Sequence, residues 1–144
     1  MAEPFPPAAA PRAPSASRGW FACGALMGLL TVAAAALAAH LPPRLLAGGG
    51  RAALQAAVQI LGWHAGAILA AALWMREAGR PVLVHLAAAG FLLGSACFVI
   101  GVAVPALRGP HLGRLAPTGG TALMLAWALL ALSAWPRHRE GYHQ

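Results

Sequence analysis

Residues 82–104 read VLVHLAAAGFLLGSACFVIGVAV, a run without a single Asp, Glu, Lys or Arg. A helix of about 20 mostly apolar residues crosses the ~30 Å hydrocarbon core of a bilayer, so this run is long enough to span. In lipid every backbone N–H and C=O must be bonded inside the segment, which leaves a helix as the form it takes. Working outward, Trp20–His40, Leu54–Trp74 and Gly119–Trp135 are uncharged apolar stretches of the same kind. The fold class that follows is all-α integral membrane: a four-transmembrane-helix up-down bundle with a disordered Pro/Ala-rich N-terminal arm.

With 60% hydrophobic and 9% charged residues among 144, one membrane domain fits and a soluble catalytic module does not. The chain divides into the arm (residues 1–19), the four-helix domain (20–136) and a basic tail (137–144). The arm, MAEPFPPAAAPRAPSASRG, shows no apolar periodicity. It cannot bury enough surface to offset its ordering entropy unless a partner holds it. Ala36-Leu37-Ala38 resembles a signal-peptidase site, but the apolar run before it is longer than an h-region and its leader is proline-rich. The first helix is therefore expected to be retained.

The net charge is +7, and all ten basic residues are Arg, each outside the four spans. That placement suits loops against lipid headgroups and not a nucleic-acid surface, so membrane lipids are the expected partners. Exclusive use of Arg beside abundant Ala, Gly and Pro accords with a GC-rich bacterial genome. Arg12, Arg18, Arg76, Arg80, Arg137 and Arg139 fall on one face of the membrane, and Arg44, Arg51, Arg108 and Arg114 on the other. The positive-inside rule then puts both termini in the cytoplasm of a bacterial inner membrane. Short connections rich in Pro and Gly (residues 41–53, 75–81 and 105–118) make sequential helices antiparallel neighbours.

Lipid tails are as apolar as leucine, so helices here associate by close backbone approach between small residues. Gly24/Gly28, Gly62/Gly66 and Gly90/Gly94 provide such pairs. Ala122/Ala126 offers a fourth, and Gly119 and Gly120 open the last span. These positions are the candidate packing surface, within the bundle or towards other subunits.

Ionisable residues inside a span are functional candidates by default. Here they are His40, His64 and His85. At about 1.5 Å per residue they lie at three different depths, so a bis-histidine haem or a metal centre built from them is not expected. Thr31, His64 and Ser95 do fall at one level near the midplane. They form either an interhelical polar clamp, worth about 0.6 kcal/mol per bond, or a binding point for a proton or small polar solute. The lack of an intramembrane carboxylate favours the clamp. Cys23 lies near the start of the first span and Cys97 about 22 Å in from the face where the third enters, too far apart for a disulfide. Trp20, Trp74, Trp127 and Trp135 sit at or near span ends, as in an aromatic belt, whereas Trp63 faces either lipid or a partner. No nucleophile–base pair, carboxylate pair, phosphate loop or CxxC motif is present, so no enzymatic activity and no cofactor are expected.

Several local patterns together resemble a known family. They are Ala38-Ala39-His40, Ala57-Val58-Gln59 followed by His64-Ala65, Gly94-Ser95, and Leu112-Gly113-Arg114-Leu115-Ala116-Pro117-Thr118-Gly119-Gly120 leading to Ala126-Trp127. Over about residues 20–135 the chain resembles the domain-of-unknown-function 423 family, small four-span membrane proteins of bacteria with relatives in eukaryotes. The chain departs from that pattern at AALAAH (residues 35–40), where the family has glycine-rich residues. It departs again at Ile60-Leu61 and at Cys97-Phe98, where the family often carries Tyr or Gln. The resemblance implies topology and no established activity. The expected role is a structural or accessory subunit of a larger membrane complex, and the alternative is a transporter or channel centred on His64.

Overall fold

The computed structural model describes residues 15–135. Residues 1–14 of the arm and the whole basic tail, with Arg12, Arg137 and Arg139, lie outside the described residues. Four helices follow one another: α1 Ser15–His40, α2 Gly50–Trp74, α3 Pro81–Ala106 and α4 Leu115–Ser133. All four are long and apolar enough to cross a membrane. Among the described residues there is no strand, and the architecture is the up-down four-helix bundle expected.

Helix limits shift from the apolar runs for local reasons. α1 begins at Ser15 instead of Trp20, so residues 15–19, expected as part of the disordered arm, are helical. α3 runs through Pro105 to Ala106, where the missing N–H falls in the last turn and breaks only one bond. α4 starts at Leu115, ahead of Pro117, because the first turn of a helix has no acceptor for its N–H groups and tolerates proline. At the start of α2, Gly49 takes a left-handed conformation (φ 73°) that a side chain would strain.

α2 and α3 form the centre, each packed at close range on two neighbours; α1 leans on α2, and α4 on α3. Ile68 of α2 and Val84 and Phe91 of α3 are fully buried. Met27, Ala65, Ala87, Leu123 and Ala126 surround Ile68 and Phe91 in the main core. Large apolar side chains such as Leu29, Val32, Leu93 and Leu125 point outward. That is the reverse of a water-soluble bundle and the arrangement lipid demands. With the fold and its outward apolar belt in hand, the molecule is an integral membrane protein.

Along the α3–α4 seam the backbones approach closely at several levels. A Cβ on Gly119 would lie 2.5 Å from the Phe98 amide nitrogen and 2.7 Å from the Gly94 carbonyl. One on Gly101 would lie 2.5 Å from the Ala116 nitrogen, and one on Gly90 2.9 Å from Ala126 Cβ. Only glycine lets the two backbones meet at these levels.

Candidate functional site

His64 lies about 3 Å past the midpoint of α2 and is buried. Its Nδ1 is 2.7 Å from the Ile60 carbonyl, one turn back on the same helix. A carbonyl only accepts, so Nδ1 carries the proton. Trp127 of α4 donates its indole N–H to Nε2 at 3.3 Å. An Nε2 that accepts is unprotonated. The two contacts therefore agree on one neutral tautomer, with both ring nitrogens satisfied inside the protein. Phe91 of α3 completes the group, 5.5 Å from the imidazole and 4.9 Å from the Trp127 indole in an edge-on arrangement. One residue from each of three helices thus locks the midplane.

The other two polar residues of that level bond elsewhere. Thr31 donates its hydroxyl to Met27 O at 2.9 Å, and its methyl packs on Gly62, 3.1 Å from where a Cβ would stand. Ser95 is fully buried, and its Oγ has no hydrogen-bond partner. No hydrogen bond joins Thr31, His64 and Ser95.

The glycines divide in the same way. Gly24 meets Leu69, Gly62 meets Thr31, Gly90 meets Ala126, and Gly94 meets Leu123 and Gly119. Gly28 and Gly66 face open space, and Gly120 is only in ordinary contact with Phe98. Gly101 and Gly50 were not among the expected packing positions, yet both touch backbone: Gly101 at Ala116 and Gly50 at Ala106 O. The seven-residue step from Gly94 to Gly101, facing Ala116, Gly119, Leu123 and Ala126, was the available signal.

Both ends of the bundle carry specific ties. At the end where α1 enters, Trp20 donates to His85 Nδ1 at 2.9 Å. Nearby, Trp74 donates to Ser133 Oγ at 3.0 Å, and that hydroxyl donates onward to Leu130 O. These indoles reach inward to protein partners besides lining the interface. At the opposite end, Arg51 donates to Ala38 O and Leu41 O, both at 2.7 Å, and so caps the carbonyl-rich end of α1. Arg108, at φ 61°, donates to Leu46 O at 2.9 Å, and Ala47 N–H bonds Ala106 O at 3.0 Å. Two of the four arginines on this face hold the α1–α2 connection in place. His40 is exposed beside this cap and has no bonding partner among the described residues.

An apolar groove of about 420 Å³ runs between α2 and α4, lined by Ala70, Trp74, Trp127, Leu130, Ala131 and Ala134. Its polar side-chain atoms, the two indole N–H groups, are already bonded to Ser133 and His64. Among the described residues no three His, Cys, Asp or Glu side chains converge on a metal-sized site. Cys23 and Cys97 are free thiols.

Residues 34–120, more than half of the chain, match the family described as Protein of unknown function (DUF423). The chain belongs to that family, as its local patterns implied. The matched segment runs from the second half of α1 to the first turns of α4. It holds His64, Phe91, Arg51, Arg108 and the Gly94/Gly119 contact, whereas Trp20 and Trp127 lie outside it. No curated protein and no solved structure matches.

Proposed function

We propose that the protein is a non-enzymatic accessory subunit of a larger assembly in a bacterial inner membrane, with both termini in the cytoplasm. The observation that carries this reading is the closure of the His64 site. Both ring nitrogens are bonded, to Ile60 O and Trp127 Nε1, and the ring packs beside Phe91. A histidine held this way serves as a tie between helices. The packing seams add support, since backbones touch at Gly94/Gly119 and Gly101/Ala116 and leave little room for a pore. For orientation, Arg51 and Arg108 are engaged by backbone carbonyls, while Arg18, Arg76 and Arg80 at the other end have no such partners among the described residues and suit anionic headgroups.

Extraction in mild detergent through a C-terminal affinity handle tests the reading. Stoichiometric retention of larger membrane subunits is the expected result. Recovery with no other polypeptide, under conditions that keep other complexes intact, would overturn it.

One observation favours a second reading, that of a transporter for a proton or small polar solute. The Ser95 hydroxyl is buried at the same level as His64 and unbonded, and buried hydroxyls of that kind are uncommon without a ligand or water. Proteoliposome flux that survives both His64→Ala and Ser95→Ala would remove this reading.

A further inference from the structure

The outward face of α2 is unlike the other lipid-facing surfaces of the bundle. Ala52, Gln55, Ala56, Gln59, Trp63 and Gly66 share it, each three or four residues from another of the set, and all are exposed. Trp63 is 74% exposed, and with α2 spanning Gly50–Trp74 it stands within about 2 Å of the helix midpoint. Gln59 stands within about 5 Å of it. Interfacial tryptophans belong at headgroup level, and Trp63 is at the opposite extreme. The carboxamides of Gln55 and Gln59 and the indole N–H of Trp63 have no hydrogen-bond partner among the described residues. The contrast with Trp20, Trp74 and Trp127 is plain, because each of those indoles donates to a protein acceptor.

Acyl chains offer no acceptor, so a carboxamide and an indole at the hydrocarbon centre are poorly served by lipid. Glutamine is among the side chains that hold transmembrane helices together by hydrogen bonds, and small residues beside it allow the approach. We propose that this face of α2 is a dimer interface, occupied by α2 of a second copy of this chain.

The chemistry selects a second copy. Copies inserted in the same direction are related by a two-fold axis along the membrane normal, so groups of equal depth meet. Gln59 then meets Gln59, and a carboxamide, carrying two donors and an acceptor, is complementary to itself. Trp63 of each copy comes level with the other, one turn below the paired amides. Ala52, Ala56 and Gly66 are the small residues that permit close contact on either side. The inference does not rest on the accessory reading: a dimer is compatible with a larger assembly or with none.

Cysteine cross-linking in native membranes tests it. In a background of Cys23→Ala and Cys97→Ala, Ala52→Cys and Ala56→Cys report on the face without removing Gln59, and Leu125→Cys on the exposed side of α4 serves as control. Oxidation should give a covalent species of twice the chain mass from positions 52 and 56 and not from 125. Adding Gln59→Leu should reduce that species several-fold, and Gln59→Asn should restore most of it. Leucine suits a lipid-facing site, so folding is preserved. No cross-link, a cross-link indifferent to Gln59→Leu, or adducts only with a different polypeptide would each overturn the proposal. A pull-down without other subunits would leave this result untouched, so the two readings fail separately.

Discussion

The Trp127 indole donates to Nε2 of His64 at 3.3 Å, across the gap between α4 and α2 at mid-membrane. These two helices are not closely packed backbone to backbone. The bond, together with the Phe91 ring against both side chains, connects them through the core of the bundle.

Replacing Trp127 by Phe keeps most of the ring and removes the donor. His64 Nε2 is then buried without a partner. The cost expected is about 1 kcal/mol, the region where membrane hydrogen bonds and unsatisfied buried acceptors overlap. Thermal denaturation in detergent should show a lower midpoint for Trp127→Phe, and a smaller further loss when His64→Phe is added.

The glycine contacts predict a sharp ranking. Gly119→Ala places a methyl 2.5 Å from the Phe98 nitrogen, where backbone must move, at a cost of about 1–3 kcal/mol. Gly28→Ala meets nothing, and by reducing the freedom of the unfolded chain it should leave stability unchanged or raise it by about 1 kcal/mol. Equal effects from the two substitutions, read by unfolding in mixed micelles, would contradict the seam described.

Arg51 caps α1 through two carbonyls three residues apart, Ala38 and Leu41. Bonds from a charged donor are worth about 1.5–3 kcal/mol. Arg51→Ala should therefore loosen residues 41–49 and speed their cleavage by protease. Arg51→Lys should rescue poorly, because an ammonium lacks the fork that reaches both oxygens. Arg44→Ala, at an exposed position, should cleave at the original rate.

The four spans were legible because length and lack of charge suffice to read a membrane helix. Depth was legible in part, since rise per residue is constant, and the level expected for Thr31 agrees with its packing on Gly62, two residues from His64. Direction around each helix was not. A soluble helix shows its inward face through polar residues on the other side, and lipid removes that contrast. Nothing in the order of residues distinguished Gly62, packed on Thr31, from Gly66, open to the surroundings. Trp127, read as a belt residue, stands eight residues from either end of the Gly119–Trp135 stretch, and its indole reaches His64 at mid-membrane instead of lying at headgroup level. Arg51 and Arg108 read as cations for headgroups because the fold-back that presents carbonyls to them depends on how the 41–49 connection packs on α3.

The accessory reading rests on His64 being held as a structural tie, and the protonation of its ring reports this directly. Solid-state ¹⁵N spectroscopy of histidine-labelled protein in bilayers, assigned by comparison with His64→Phe, measures it. The predicted spectrum has a protonated Nδ1 and an unprotonated Nε2, with the Nε2 signal moving when Trp127→Phe removes its donor. A proton on Nε2, or an imidazolium, would contradict the closed site and return His64 to the candidates for transport.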